Sequence, residues 1–161
     1  MSSDPTAQEL RQLLDRQAIA DLGLQYARFV DGRQYERFRG ILAKDVILTM
    51  HRGDPATNAS YHQMTGADEV VKGMSGIEMY LRTQHLVANH WIEFDGDDRA
   101  SGEVYCTAHH FSKVDGVLTD YVMGIRYQDR YVREADGWKF ATRQLGLDWE
   151  RTAPTGHDEL P

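Results

Sequence analysis

The sequence predicts an α+β fold in which N-terminal helices pack on a curved antiparallel sheet, and three observations carry that expectation. Apolar residues in the first third recur near the helical period. Three Asp-Gly pairs, Asp95-Gly96, Asp115-Gly116 and Asp136-Gly137, punctuate the second half at similar spacing, each a hairpin signal. Helices first and a meander last is the order of an α+β domain rather than of alternating βα units.

Each element has its own signal. Leu10, Leu13, Leu14, Ala18, Ile19, Leu22, Leu24, Tyr26 and Phe29 predict one long first helix, with Arg11, Asp15, Arg16 and Asp21 mostly on its other side. Asp31-Gly32 ends it, glycine being suited to a helix C-terminus. A short second helix is expected around Gln34–Leu42, facing Tyr35, Phe38, Ile41 and Leu42 inward. Asp45–His51 reads as a strand, and His51–Ser60 as a loop dense in turn formers. Its Arg52-Gly53-Asp54 tripeptide is read as a chance match to an adhesion motif. Gly66–Tyr80 has the apolar stripe of a third helix in Val70, Val71, Met74 and Ile77. The Asp-Gly pairs then divide the rest into β segments near 83–94, 99–113, 118–133 and 138–149. Gly102, Gly124 and Gly146 would let these strands bend around the first helix, giving a cone with an apolar mouth. With prolines only at positions 5, 55, 154 and 161, residues 1–161 are expected to form one domain with a core near 8–150, and 151–161 a frayed or draped tail.

Composition narrows the function. Hydrophobic residues are 41% and charged residues 27%, an ordinary globular balance. Eighteen basic against 25 acidic residues give a formal charge of −7, which argues against a nucleic-acid or anionic-membrane partner. No apolar stretch approaches the roughly 18 residues that span a bilayer. No basic-then-apolar leader opens the sequence, so a cytoplasmic location is expected. The one cysteine, Cys106, excludes an internal disulfide and a cysteine-ligated zinc site, whereas seven histidines remain as neutral-pH chemistry.

Three polar features stand where an apolar core is expected. Tyr26 and Asp31 lie five residues apart at the end of the first helix, where the helix dipole disfavours a carboxylate. Arg82-Thr83-Gln84-His85 leads into the first long strand, and Cys106–Phe111 carries adjacent histidines on opposite strand faces. Val104, Cys106, Ala108 and His110 share the side with smaller residues, which would line a cavity. A carboxylate beside a neutral imidazole is a standard general base, since it accepts one ring N–H and stabilises the imidazolium formed on proton abstraction. Asp31 and His85 can form such a pair if the first helix meets the first meander strand.

The helix end Tyr26–Asp31, the LRTQH segment Leu81–His85 and the closing Gly137-Trp138-Lys139-Phe140 resemble the SnoaL-like branch of the nuclear transport factor 2-like superfamily, over roughly residues 8–150. The pattern is similar to scytalone dehydratases, bile-acid 7α-dehydratases and hexachlorocyclohexane dehydrochlorinases. The resemblance implies a cone-shaped α+β barrel, no cofactor, a homo-oligomer (trimer ahead of dimer) and an Asp–His dyad that removes a proton as a leaving group departs. By the same resemblance Asp31 and His85 match the dyad, Tyr26 the tyrosine of the bile-acid enzymes, and His110 the second histidine of scytalone dehydratases. Val30 and Met50 stand where the latter have tyrosines, and their serine and asparagine are missing near Ile125 and Tyr127.

The expected function is therefore a cofactor-independent lyase, of dehydratase type, on a small hydrophobic, cyclic, hydroxylated or carbonyl-bearing substrate. Isomerisation or cyclisation in the same cavity is the second enzyme reading, and a non-catalytic ligand-binding module is the third. Asp31, His85, Tyr26 and His110 are the catalytic candidates; Met50, Trp91, Met123 and Arg126 are the substrate-binding ones. Arg126 and Arg143 could each bind a carboxylate from inside or be solvated outside, the outer face being the more usual place for either. His51, His62 and His90 have no partner evident in the sequence, and no metal site is expected, because His109 and His110 point apart.

Overall fold

The computed structural model describes residues 6–160; Pro5 and Pro161 lie outside the described residues. Helix α1 runs Ala7–Asp31, α2 Tyr35–Gly40 and α3 Ala67–Met74, the last followed by a 3₁₀ turn over Ser75–Met79. The strands are β1 Leu42–Arg52, β2 Ser60–Thr65, β3 Arg82–Phe94, β4 Arg99–Val114, β5 Val117–Glu134 and β6 Gly137–Pro154.

Helix α1 begins where its capping chemistry dictates. The Thr6 hydroxyl accepts from the Glu9 N–H at 3.2 Å while the Glu9 carboxylate accepts from the Thr6 N–H at 2.7 Å, a reciprocal box. The buried stripe is Ile19, Leu22, Gly23, Tyr26, Ala27 and Val30, a 3.6-residue repeat set against β3 and β6. Burying a Leu, Ile or Val contributes roughly 1.5–3 kcal/mol, so this stripe holds the helix across the sheet. Leu10, Leu13, Leu14 and Leu24, all expected inward, are exposed.

The sheet has six strands in the order β2-β1-β6-β5-β4-β3. The four C-terminal strands pair as the antiparallel meander that the Asp-Gly turns predict, over nearly the predicted spans. Two features were not foreseen. Strand β2, whose residues after Ser60 carried no assignment from the sequence, folds back on β1, and β1 lies parallel to β6. The expected barrel does not close: β2 and β3 are free edges, with α1 across β3 and α3 across β1 and β2 on the concave side. The result is an open cone.

The tail also departs from expectation. Residues 151–154 extend β6 and pair with β5 as far as Thr119↔Pro154. The third helix stops at Met74 rather than reaching Tyr80, and the remainder winds as a 3₁₀ turn. Among the described residues no helix is long and apolar enough to cross a membrane.

Candidate active site

Strand pairing sorts the side chains. On β3, β4 and β5 the register Thr83↔His110, His85↔Ala108, His110↔Tyr121 and Ala108↔Met123 puts these residues on one face. That face is concave, since Val104, Cys106, Ala108 and His110 are buried along it. The last turn of α1 lies across it and delivers Asp31.

Asp31 is held by three donors. The Thr83 hydroxyl donates to Oδ1 at 2.8 Å, the His85 backbone N–H donates to Oδ2 at 2.8 Å, and His85 Nδ1 stands 2.7 Å from Oδ1. Burial pushes the carboxyl up. The hydrogen bond and charge of the His85 imidazole, with the His85 amide and Thr83 hydroxyl, outweigh it and hold Asp31 below the usual carboxylate range. A carboxylate can only accept, so Nδ1 carries the hydrogen and Nε2 is left with its lone pair. The pair is thus geometrically able to act as a base.

Aromatic rings stand around His85. The His110 ring lies 5.8 Å from that of His85, 4.7 Å from Tyr80 and 5.7 Å from Tyr121. Burial, reinforced by His85, pushes His110 down to about 4, so it is neutral at pH 7. Its Nδ1 faces the Tyr121 carbonyl at 3.3 Å. A carbonyl only accepts, so His110 Nε2 is an acceptor rather than the hydrogen donor expected for a cavity acid. Tyr26 is almost fully buried, edge-on to His85 at 6.3 Å. Burial raises its pKa and keeps the phenol protonated, and its hydroxyl donates to the Met74 sulfur at 3.9 Å, a weak acceptor.

Beneath the pair lies an ion pair not expected from the sequence. Arg143 points inward, not out to solvent: its Nε and Nη2 donate to Asp129 Oδ1 and Oδ2 at 2.9 and 2.7 Å. Its guanidinium is 4.2, 4.0 and 4.2 Å from the ring centres of Tyr26, Tyr127 and Phe140. Burial opposes the charge, and Asp129 more than restores it.

The structure brings some candidates together and separates others. Met50 and Met123 are half-buried against the core, Met123 on the face of His110 and Tyr121. Trp91 and Arg126 are elsewhere. A bulge between Ala88 and Trp91 inserts one residue and turns Trp91 out, opposite Glu103, where it is 67% exposed. Arg126 pairs with Tyr105 in the register, stacks on that ring and bonds Asp148 at 3.1 Å, all on the convex face. His51 and His90 do have partners: His51 bridges the Asn58 carbonyl and the Thr49 hydroxyl, and His90 meets the Tyr131 hydroxyl. His109 pairs with Asp120 at 2.7 Å on the convex side. Among the described residues no cluster of three or more His, Cys, Asp or Glu is placed to hold a metal ion.

Thr83, Tyr80 and Arg33 were not singled out from the sequence. Thr83 had a signal in the LRTQH segment, two residues before His85 and so on the same strand face. Tyr80 and Arg33 had none, because their roles depend on a turn that folds back over the strand.

A SnoaL-like domain model matches residues 11–144. No curated protein matches the chain. Among solved structures, a type 2 hexachlorocyclohexane dehydrochlorinase (LinA) is 22% identical with a TM-score of 0.76, covering 94% of this chain and 97% of that one. A type 3 enzyme from Novosphingobium barchaimii is 21% identical with a TM-score of 0.77, covering 94% and 98%. A proposed scytalone dehydratase from Novosphingobium aromaticivorans is 24% identical with a TM-score of 0.73, covering 92% and 98%. At these identities the likeness shows the fold.

Proposed function

The chain belongs to the SnoaL-like domain family, and from that premise we propose that it is a cofactor-independent lyase of the dehydratase type, with His85 as general base. The observation that carries this reading is the 2.7 Å contact between His85 Nδ1 and Asp31 Oδ1, part-buried at the end of α1. The fold's likeness to structures named as a dehydrochlorinase and a proposed dehydratase supports the same class.

The chemistry follows from the donors and acceptors. His85 Nε2 takes a carbon-bound proton beside a carbonyl, and Asp31 stabilises the imidazolium. The Tyr26 phenol donates to the enolate oxygen. His110 Nε2 accepts from a substrate hydroxyl and orients it. The carbon–oxygen bond breaks with its electron pair leaving on oxygen, and the proton held by His85 returns to that oxygen, releasing water and neutral His85. A small, hydrophobic, cyclic hydroxy-carbonyl substrate suits the rings of Tyr80, Tyr121 and His110, with Met123 on the same face.

The test is a screen of such compounds followed by His85→Ala. General base action is worth about 10²–10⁴-fold, so H85A should lose at least about a hundredfold in turnover, and the product should be lighter by one water. Normal turnover by a folded H85A protein overturns the base, and a product of unchanged mass overturns elimination. The proposal includes a homo-oligomer, trimer ahead of dimer, supported by Leu86, Trp91, Tyr105 and Trp149, which stand exposed on the sheet.

A further inference from the structure

One guanidinium outside the dyad touches both its support and the segment that covers it. Arg33 leaves α1 with φ +50°, a left-handed conformation uncommon for a residue with a side chain. Its Nη1 donates to the Asp31 carbonyl at 2.7 Å and to Thr83 Oγ1 at 3.0 Å. Its Nη2 donates to the Tyr80 carbonyl at 3.3 Å and to that of Ile77 at 3.4 Å. The end of α1, the 3₁₀ turn and the start of β3 thus meet on one planar group.

The chemistry of the donors gives this chain a direction. Arginine only donates, so Thr83 Oγ1 accepts from Arg33 and its single hydroxyl hydrogen goes to Asp31 Oδ1. Asp31 is then fixed to receive His85 Nδ1–H on the same oxygen. The carbonyls held by the other side of the fork belong to the turn that sets the Tyr80 ring 4.7 Å from the His110 ring. A lysine, with one compact ammonium on a flexible stem, cannot reproduce a planar fork reaching four acceptors.

We propose that Arg33 is a positioning residue that couples the covering segment 75–81 to the Asp31–His85 pair. When the segment is seated, Arg33 sets the Thr83 hydroxyl and through it the carboxylate; when the segment lifts, the carboxylate loses that restraint. The inference deepens the base reading and rests on it for its catalytic meaning, but the coupling is measurable without substrate.

The experiment follows hydrogen exchange by NMR in the wild type, Arg33→Met, Arg33→Lys and Thr83→Val. The probes are the His85 Nδ1–H and the amides of Tyr80 and Leu81, which bond the Ile77 and Phe111 carbonyls. In R33M both sets should exchange about tenfold faster or more, as expected on losing hydrogen bonds to a charged group. In T83V only the His85 Nδ1–H should do so, and R33K should fall between wild type and R33M. Amides in the middle of β5 report that each variant is folded; if R33M is not, R33K and T83V carry the comparison. Wild-type exchange at both sets in R33M or R33K overturns the coupling, as does a T83V variant that loosens Tyr80 as much as R33M. Normal turnover by H85A with the coupling intact would remove the base reading alone.

Discussion

Asp31 stands at the negative end of a 25-residue helix dipole, where a carboxylate is disfavoured. The sequence already showed that mismatch, and the structure shows what answers it: the Thr83 hydroxyl, the His85 amide and the His85 imidazole. A residue out of place for its element was the legible signal of the candidate site. The sense of hydrogen bonding was not legible, because it depends on which group faces His110. Burial and the neighbouring His85 bring His110 from 6.5 to about 4. An unfolded chain therefore takes this proton near pH 6.5, and the folded chain refuses it until about pH 4. Between these values the unfolded state binds more protons, so the contribution is present above about 6.5 and is lost as pH falls to about 4. An NMR titration of the His110 ring should show it neutral at pH 6, and urea unfolding should show His110→Gln losing less stability than wild type over that window. A midpoint near 6.5 would sink the assignment.

At the scale of elements, alternation along a strand was readable and interruptions of it were not. From His85 a regular strand would put Trp91 inside; the extra residue at the bulge, with Asn89 at φ +47°, puts it outside. Gly102 makes room for that bulge, since a Cβ there would stand 2.7 Å from the Trp91 carbonyl oxygen. The opposite error concerned Arg143, an arginine in an apolar strand that the sequence placed more readily outside. It is inside because Asp129 lies directly opposite it on β5 and accepts from its Nε and Nη2 in a bidentate pair. Their side chains are 3% and 0% exposed. Removing one partner leaves an uncompensated buried charge, at a cost of about 3–5 kcal/mol. Asp129→Leu and Arg143→Met should each lose about that much in urea denaturation, while the double variant should lose clearly less than their sum. Additive losses would show that the pair does not couple β5 to β6.

At the scale of the molecule, one face of the sheet is filled and the other carries unmatched apolar groups. Leu86, Trp91, Tyr105 and Trp149 are each between 38% and 67% exposed, and a cluster of such groups marks an association surface. The proposed homo-oligomer predicts a light-scattering mass of about three chains, with Trp91→Ser or Trp149→Ser shifting it toward one. A monomeric wild type at working concentration would remove that proposal. The sequence by itself determined the helix-then-meander order and the hairpin turns, and it marked Asp31 as out of place, because local periodicity, turn chemistry and a dipole mismatch are all written in neighbouring residues. Only the tertiary structure decided that Asp31 meets His85, that the sheet stays open, that β1 runs parallel to β6, that Trp91 and Arg126 face away from His85, and that Arg33 reaches Thr83 and the Asp31 carbonyl. Each of those depends on which distant backbone segment fills a given space, and one bulge or one folded-back turn changes it without changing the local pattern.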